Sequence, residues 1–218
     1  LRSPLTVLYG SAQFLRNRYD GIDEKLRREM VETLAHECDN MRQLVENLLA
    51  LARPAANDFL DLVPTDLREA LTAAVAAFER ASPRRMVEFE AGGEQVVATI
   101  EKVNFQRVMQ NLLENADKYS PPDQPIEVRL TASGADAFVE VMDHGPGVDA
   151  TELDLIFASF YRSKTTAAGA SGKGLGLAVC RRLLQQMHGS IEARLRSGGG
   201  LILRATLPLQ DAEAPPTD

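Results

Sequence analysis

The sequence predicts two units of different class: an α-helical hairpin that pairs with a second copy into a four-helix bundle, then an α/β sandwich with a mixed, largely antiparallel sheet. Three observations predict it. Apolar residues recur at seven over Leu34, Met41 and Leu48, with Leu44 and Leu51 offset by three, which is a short heptad seam. Beyond the proline-broken stretch "ARPAANDFLDLVP" the apolar period changes from helical to two. Helical stretches are then interspersed with those strands, the pattern of helices layered on a sheet.

The first helix is expected from Leu5 to about Arg18, on the face made by Leu5, Leu8, Ala12 and Leu15; "YDGID" turns the chain, with Gly21 as the C′ residue. The second runs from Lys25 to Ala52. Two antiparallel helices cannot bury the seam alone, so a homodimer through residues 1–54 is expected. Residues 55–64 read as a linker. After it Asp66 and Glu69 resemble a capping pair, and Leu67, Leu71, Ala74, Val75 and Phe78 form one helical face. "MVEFEA" and "QVVATI" read as strands, while "IEVRLTAS", "AFVEVMD" and "LILRATLPL" alternate with period two. Helices are expected at 103–119 and 175–188, and residues 210–218 as a disordered tail.

Composition narrows the function. With 218 residues, 44% of them hydrophobic, the chain can bury a core, and its net charge of −7 argues against broad attraction to nucleic acid. Cys38 and Cys180 are the only cysteines and show no metal-ligand spacing; both are expected to be buried, inert thiols of a reducing cytoplasm. No apolar run approaches the roughly 18–20 residues of a membrane span.

The stretch "SGKGLGLAVC" puts Gly172, Gly174 and Gly176 on alternate positions ahead of a helical pattern. It is not a Walker loop, because Lys173 is followed by Gly174, and it is not a dinucleotide fingerprint, because its glycines run G-x-G-x-G after a polar loop. What remains is a loop feeding a helix N-terminus, which offers unpaired N–H groups and a positive dipole end to phosphate. Asn111 and Asn115 sit four apart on the helix "NFQRVMQNLLENADKYS", bordering an apolar stripe of Val108, Leu112 and Leu113. They read either as satisfied polar residues or as amide ligands for a hard cation such as Mg²⁺. Lys118 and Tyr119 follow one turn on. "VMDHGPGVD" closes a strand with Asp143 and shapes the next loop with Gly145 and Gly147. That is either a tight turn or a carboxylate placed to accept the N6 hydrogen of adenine, with glycines letting backbone approach the base. In "IFASFYRSK", Phe157 and Phe160 read as core, whereas Arg162 beside a phosphate loop can offset charge during phosphoryl transfer.

In this order, "NLLENADKYSP", "DHGPGVD", "IFASFYRSK" and "GKGLGLAVC" resemble the N, G1, F and G2 boxes of the sensor histidine kinases. Their ATP-binding domain is of the Bergerat type (GHKL), shared with gyrase, Hsp90 and MutL. The resemblance covers residues 65–209. It implies that Asn115 binds Mg²⁺, that Asp143 reads adenine, and that Lys118, Tyr119 and Arg162 contact the nucleotide. The loop from Ser163 to Leu175 becomes the ATP lid, with Gly172, Lys173, Gly174, Leu175 and Gly176 toward the phosphates. Asn111 falls where related ATPases carry a water-activating glutamate; an amide cannot be that base, which favours transfer to protein over hydrolysis.

The hairpin resembles the family's dimerisation and phosphotransfer domain, whose acceptor histidine opens H-E-L-R-[TS]-P-L. Here "LRSPL" begins at the third position, so the acceptor falls upstream of Leu1, and His36, His144 and His188 are not it. Local rules would make Ser3 a helix cap and Pro4 the first helical residue; the resemblance implies a helix running through both. Ser3 occupies the place of a threonine that in many relatives assists phosphatase action. The implied function is ATP- and Mg²⁺-dependent autophosphorylation and transfer to a response-regulator receiver domain, in a cytoplasmic protein or the cytoplasmic part of a membrane-anchored sensor. The rival reading is a non-catalytic dimeric ATP-binding regulator of the same fold.

Overall fold

The computed structural model describes residues 2–52, 61–93, 95–163, 165 and 173–210, with the side chains of residues 2–4 and 20 outside the description. The chain divides into two compact units, Leu1–Ala52 and Arg53–Asp218. In the first, α1 (Arg2–Arg18) and α2 (Glu24–Ala52) pack side by side across a single 3-10 turn, Tyr19–Gly21. Helix α1 is already formed at Arg2, so Ser3 and Pro4 lie within it rather than at its cap. Gly21 does not take the left-handed C′ conformation expected of it; the 3-10 turn ends instead in extended backbone at Ile22. The turn is closed by Arg27, which donates to the carbonyls of Tyr19 and Ile22 and stacks over the Tyr19 ring. Of the seam, Leu44 is buried and Leu34, Met41, Leu48 and Leu51 are half-buried; of the expected α1 face, Leu8 and Leu15 are half-buried while Leu5 and Ala12 are exposed. Cys38 is exposed, contrary to expectation, because it lies on the solvent side of α2.

The second unit is built on a five-stranded sheet of order β2-β4-β5-β7-β6, using β2 (Val87–Ala91), β4 (Ile126–Ser133), β5 (Asp136–Met142), β6 (Ser190–Leu195) and β7 (Leu201–Pro208). Only the β2–β4 pair is parallel. The alternation of β4, β5 and β7 puts Val128, Val139, Val141, Leu203 and Ala205 in one buried layer, with Val128 opposite Val141 and Val141 opposite Leu203. The other face carries charges in register: Arg204 pairs with Glu140 across the β5–β7 ladder, and Arg129 reaches Glu90. Helices α3 (Leu67–Ala81), α4 (Lys102–Tyr119) and α5 (Gly176–Gln186) cover the apolar layer. Asp66 caps α3 by accepting from the Arg68 N–H, and the expected face of Leu67, Leu71, Ala74, Val75 and Phe78 is the buried one.

Two strands lie outside those expected. Residues 63 and 64, expected in the linker, belong to β1 (Val63–Asp66), which pairs antiparallel with β3 (Val97–Ile100) despite Pro64. A proline survives there because the ribbon has only two strands, so a residue in it need not donate an N–H on its open side. The β6 edge strand reads "SIEARL", in which Ile191, Ala193 and Leu195 alternate with Ser190, Glu192 and Arg194, but over only six residues and with only Ile191 buried. Before it, α5 ends in a Schellman motif: Gly189 N–H donates to Leu184 O (2.8 Å) and His188 N–H to Gln185 O (3.1 Å). The left-handed residue is therefore His188 (φ 58), not Gly189. Gly189 is needed for space, since a Cβ there would lie 2.3 Å from Thr206 O.

Candidate functional site

The end of β5 delivers Asp143 into a buried position, 3% exposed. Two backbone N–H groups converge on its Oδ1, from Gly145 (2.8 Å) and Leu201 (3.2 Å). Among the described hydrogen bonds Oδ2 receives no donor. Burial pushes the carboxyl above its usual range; the two N–H donors and the nearby His144 and Arg196 work in the opposite direction. A carboxylate so held keeps one oxygen anchored and one available to an incoming N–H.

Glycine surrounds it because nothing larger fits. A Cβ on Gly145 would be 2.9 Å from both Asp143 Oδ1 and Tyr119 O. Gly147, at φ 70, faces the Gly200 carbonyl, and a Cβ on Gly200, at φ 100, would be 2.0 Å from Asp143 O. The wall is thus two backbone turns in contact, 143–147 and 198–200.

The end of α4 forms the adjoining side. Ser120 Oγ accepts the His144 N–H (3.0 Å), tying the helix end to the Asp143 loop. Arg85, almost fully buried, donates to the carbonyls of Asp117 (2.8 Å), Pro121 (2.6 Å), Gln124 (3.0 Å) and Ser120 (3.3 Å) and pairs with the Asp117 carboxylate. It fixes the turn in which Lys118 stands 4.7 Å from the Tyr119 ring centroid. One and two turns back, Asn115 and Asn111 are part-buried. Asn111 Nδ2 donates to Arg107 O (2.9 Å), which turns its oxygen toward the start of α5: a Cβ on Gly176 would be 3.0 Å from Asn111 Oδ1. Helix α5 begins at Gly176 with no side-chain cap from Leu175, leaving its first N–H groups for an anion. Below them Cys180 lies against Val108 O, and burial pushes its thiol up to about 12.

The third side is residues 157–163. Phe157 is buried as expected, but Phe160 is 66% exposed at φ 66, because its backbone N–H is drawn to Gly174 O (2.7 Å) rather than its ring to the core. A Cβ on Gly174 would be 2.4 Å from Tyr161 O, so Gly174 and residues 160–161 are in backbone contact. Arg162 and Lys173 are exposed and Leu175 is buried. Gly172 and most of the 163–175 loop lie outside the described residues, as does the Ser3 side chain.

Residues 100–211 match the histidine kinase-, DNA gyrase B- and HSP90-like ATPase family, and residues 1–57 match the His Kinase A (phospho-acceptor) domain. The chain belongs to the sensor histidine kinases. The chain is 33% identical over 184 residues to the sensor protein CutS of Streptomyces coelicolor, covering 84% of the chain and 44% of CutS. It is 31% identical over 215 residues to the sensor histidine kinase MtrB of Mycobacterium tuberculosis, covering 96% and 37%. The fold matches the Acinetobacter baumannii histidine kinase AdeS with a TM-score of 0.74, at 22% identity, over 97% of this chain and 98% of that one. The chain therefore spans less than half the length of the curated relatives named here. No described helix is long and apolar enough to cross a membrane.

Several residues that build the candidate site carried no recognisable sequence signal. Gly198–Gly200 is the turn between β6 and β7, and only the sheet order puts Gly200 against Asp143. Arg85, on the turn after α3, and Arg196, which donates to Asp143 O (3.4 Å) and pairs with Glu127, act through contacts 32 or more residues away in sequence.

Proposed function

We propose that the chain is the kinase core of a two-component sensor, moving the γ-phosphoryl group of ATP to a histidine and from there to an aspartate of a response-regulator receiver domain. The observation that carries it is the buried Asp143 with one oxygen clamped by backbone and a glycine-only wall around it, on the same unit as the uncapped start of α5 beside Asn111.

ATP lies across residues 65–209. Asp143 accepts from the adenine amine, Gly145 and Gly147 let the base come close, and Lys118, Tyr119 and Arg162 contact the nucleotide. Gly172, Lys173, Gly174, Leu175 and Gly176 line the phosphate side. Asn115, part-buried on α4, would supply a protein oxygen for Mg²⁺, with phosphates and water completing a hard-oxygen set that suits the ion. When bound, the ion neutralises charge on the transferring phosphates.

A histidine ring nitrogen attacks the γ-phosphorus, the bond to the bridging oxygen breaks, and ADP leaves with the electron pair. A receiver carboxylate oxygen then attacks the same phosphorus and the P–N bond returns its pair to the imidazole. Asn111, an amide, provides no base for water. His36, the histidine of the segment that matches the phospho-acceptor domain, is exposed on α2 and outside the "LRSPL" motif; the resemblance of that motif supports an acceptor at its opening histidine. The half-buried seam and the exposed Leu5, Val7, Tyr9 and Val31 support pairing of two copies through residues 1–54. Ser3 is proposed to assist dephosphorylation of the receiver.

The test is incubation with γ-labelled ATP of this chain and of a version extended upstream through the native motif. Acid-labile label is expected only on the extended form. Label on the shorter chain would overturn the acceptor assignment.

A further inference from the structure

Glu152 is a buried carboxylate, 6% exposed, on the short 3-10 turn Ala150–Glu152 that follows the Asp143 loop. A lone buried charge is costly, and this one is compensated by donors from two directions. One is local: the Asp149 N–H reaches Oε2 (3.3 Å), completing a capping box with the Asp149 side chain. The others come from nine and eleven residues on. Tyr161 O–H donates to Oε1 (2.7 Å) and Ser163 O–H to Oε2 (2.6 Å). A capping box alone works with its glutamate in solvent, so burial of this carboxylate needs the other two contacts to account for it.

Those two residues bracket Arg162. Tyr161 and Ser163 both reach Glu152, and the residue between them, Arg162, is exposed. The same stretch is fixed along its backbone, since Phe160 N–H donates to Gly174 O (2.7 Å) and Gly174 has no room for a Cβ against Tyr161 O. Gly174 is two residues ahead of the start of α5.

We propose that Glu152 is a positioning residue for Arg162: its carboxylate holds Tyr161 and Ser163 from below and thereby presents the guanidinium to the polyphosphate end of the nucleotide beside α5. This rests on the reading of Asp143 and the α5 N-terminus as the two ends of the ATP site. Glu152 is proposed to act through the two hydroxyls rather than by touching the nucleotide.

A double-mutant cycle on nucleotide binding tests it, using displacement of trinitrophenyl-ATP by ATP and by ADP from the intact chain, with melting curves for every variant. Arg162→Ala and Glu152→Ala are each expected to weaken ATP by about tenfold, the loss of one charge-assisted contact. In the Arg162→Ala background Glu152→Ala is expected to cost nothing further. Glu152→Gln should recover most of the affinity, because its oxygen still accepts from Tyr161 and the Ser163 hydroxyl can accept from its amide. If Glu152→Ala does not fold, Tyr161→Phe replaces it in the cycle, with a smaller loss that also vanishes when Arg162 is absent. Native ATP affinity in Glu152→Ala or Tyr161→Phe, or a full additional loss on top of Arg162→Ala, would overturn the proposal while leaving the ATP site standing. An unmodified chain that binds neither nucleotide would overturn the site itself.

Discussion

Replacing Gly200 by alanine separates two costs that the structure assigns to different glycines of one turn. Gly198 and Gly200 have nearly the same backbone angle, φ 92 and 100, so an alanine at either position incurs a similar penalty for leaving the region L-residues favour. That penalty is about 1–2 kcal/mol, reduced by the lower entropy of alanine in the unfolded chain. Only Gly200 meets an obstacle: its Cβ would lie 2.0 Å from Asp143 O and 3.1 Å from Asp143 Oδ1, whereas at Gly198 nothing lies within 4 Å. The carbonyl cannot retreat freely, because Asp143 and Leu201 exchange N–H···O bonds on both the main chain (3.0 Å) and the carboxylate (3.2 Å). Overpacking of about 1–3 kcal/mol and the loss of one or two hydrogen bonds at about 1 kcal/mol each put Gly200→Ala at least ~2 kcal/mol below Gly198→Ala. For a unit of this size that is a further drop in Tm of about 4–8 °C. Thermal unfolding by circular dichroism measures it, and ATP titration should show weaker binding for Gly200→Ala alone. Equal melting of the two variants with unchanged ATP affinity would refute the contact between this turn and Asp143.

Asp143→Asn keeps an oxygen for the Gly145 and Leu201 donors but removes a charge whose burial raises its pKa. The native state therefore binds this proton more tightly than the unfolded chain does, and the ionised group is a liability at neutral pH that fades as pH falls through the raised pKa. The variant should be as stable as the parent or more so at neutral pH, the difference closing in acid, while ATP affinity falls about ten- to hundredfold; native affinity would reject the adenine contact. Arg85→Ala should cost about 3 kcal/mol or more in chemical denaturation and Arg85→Lys nearly as much, since a point charge cannot serve carbonyls spread over a whole turn. Iodoacetamide should alkylate one cysteine in the native chain, Cys38, and reach Cys180 only on unfolding, as read by peptide mass. Asn115→Ala should weaken ATP in the presence of Mg²⁺ more than in EDTA, checked by titration in the two buffers.

Where burial follows a single period, the sequence was readable residue by residue. The α3 face and the alternation of β4, β5 and β7 are examples, because each of those elements has one side against the apolar layer and one away from it. It was unreadable where an element is stabilised by pairing rather than by burial. Strand β1, "VPTD", belongs to a two-stranded ribbon and leaves no hydrophobic rhythm, while β6 alternates over only six residues, buries one side chain and follows directly on the helical pattern of α5. Phe160 misled for a related reason: aromatic residues three apart imply a helical core stripe only if the backbone is helical, and here Gly174 captures the Phe160 amide instead. Cys38 misled because a composition argument about compartment says nothing about which helix face a thiol occupies.

The candidate site divides along the same line. Asp143, Gly145, Gly147 and the two asparagines stand in short contiguous runs, so their order along the chain is visible without coordinates. Their supports are not contiguous with them. Gly200 holds a place fifty-seven residues after Asp143 because antiparallel pairing of β5 with β7 sets Met142 opposite Ile202, which brings the turn before β7 onto the loop after β5. Register is a property of two strands at once, and no single stretch encodes it. A carboxylate buried at a strand end needs donors that do not move, and the backbone N–H of the neighbouring strand is the most rigid donor within reach. The residue that supplies it, Leu201, is apolar, which is why chemistry-bearing side chains alone could never have pointed to it.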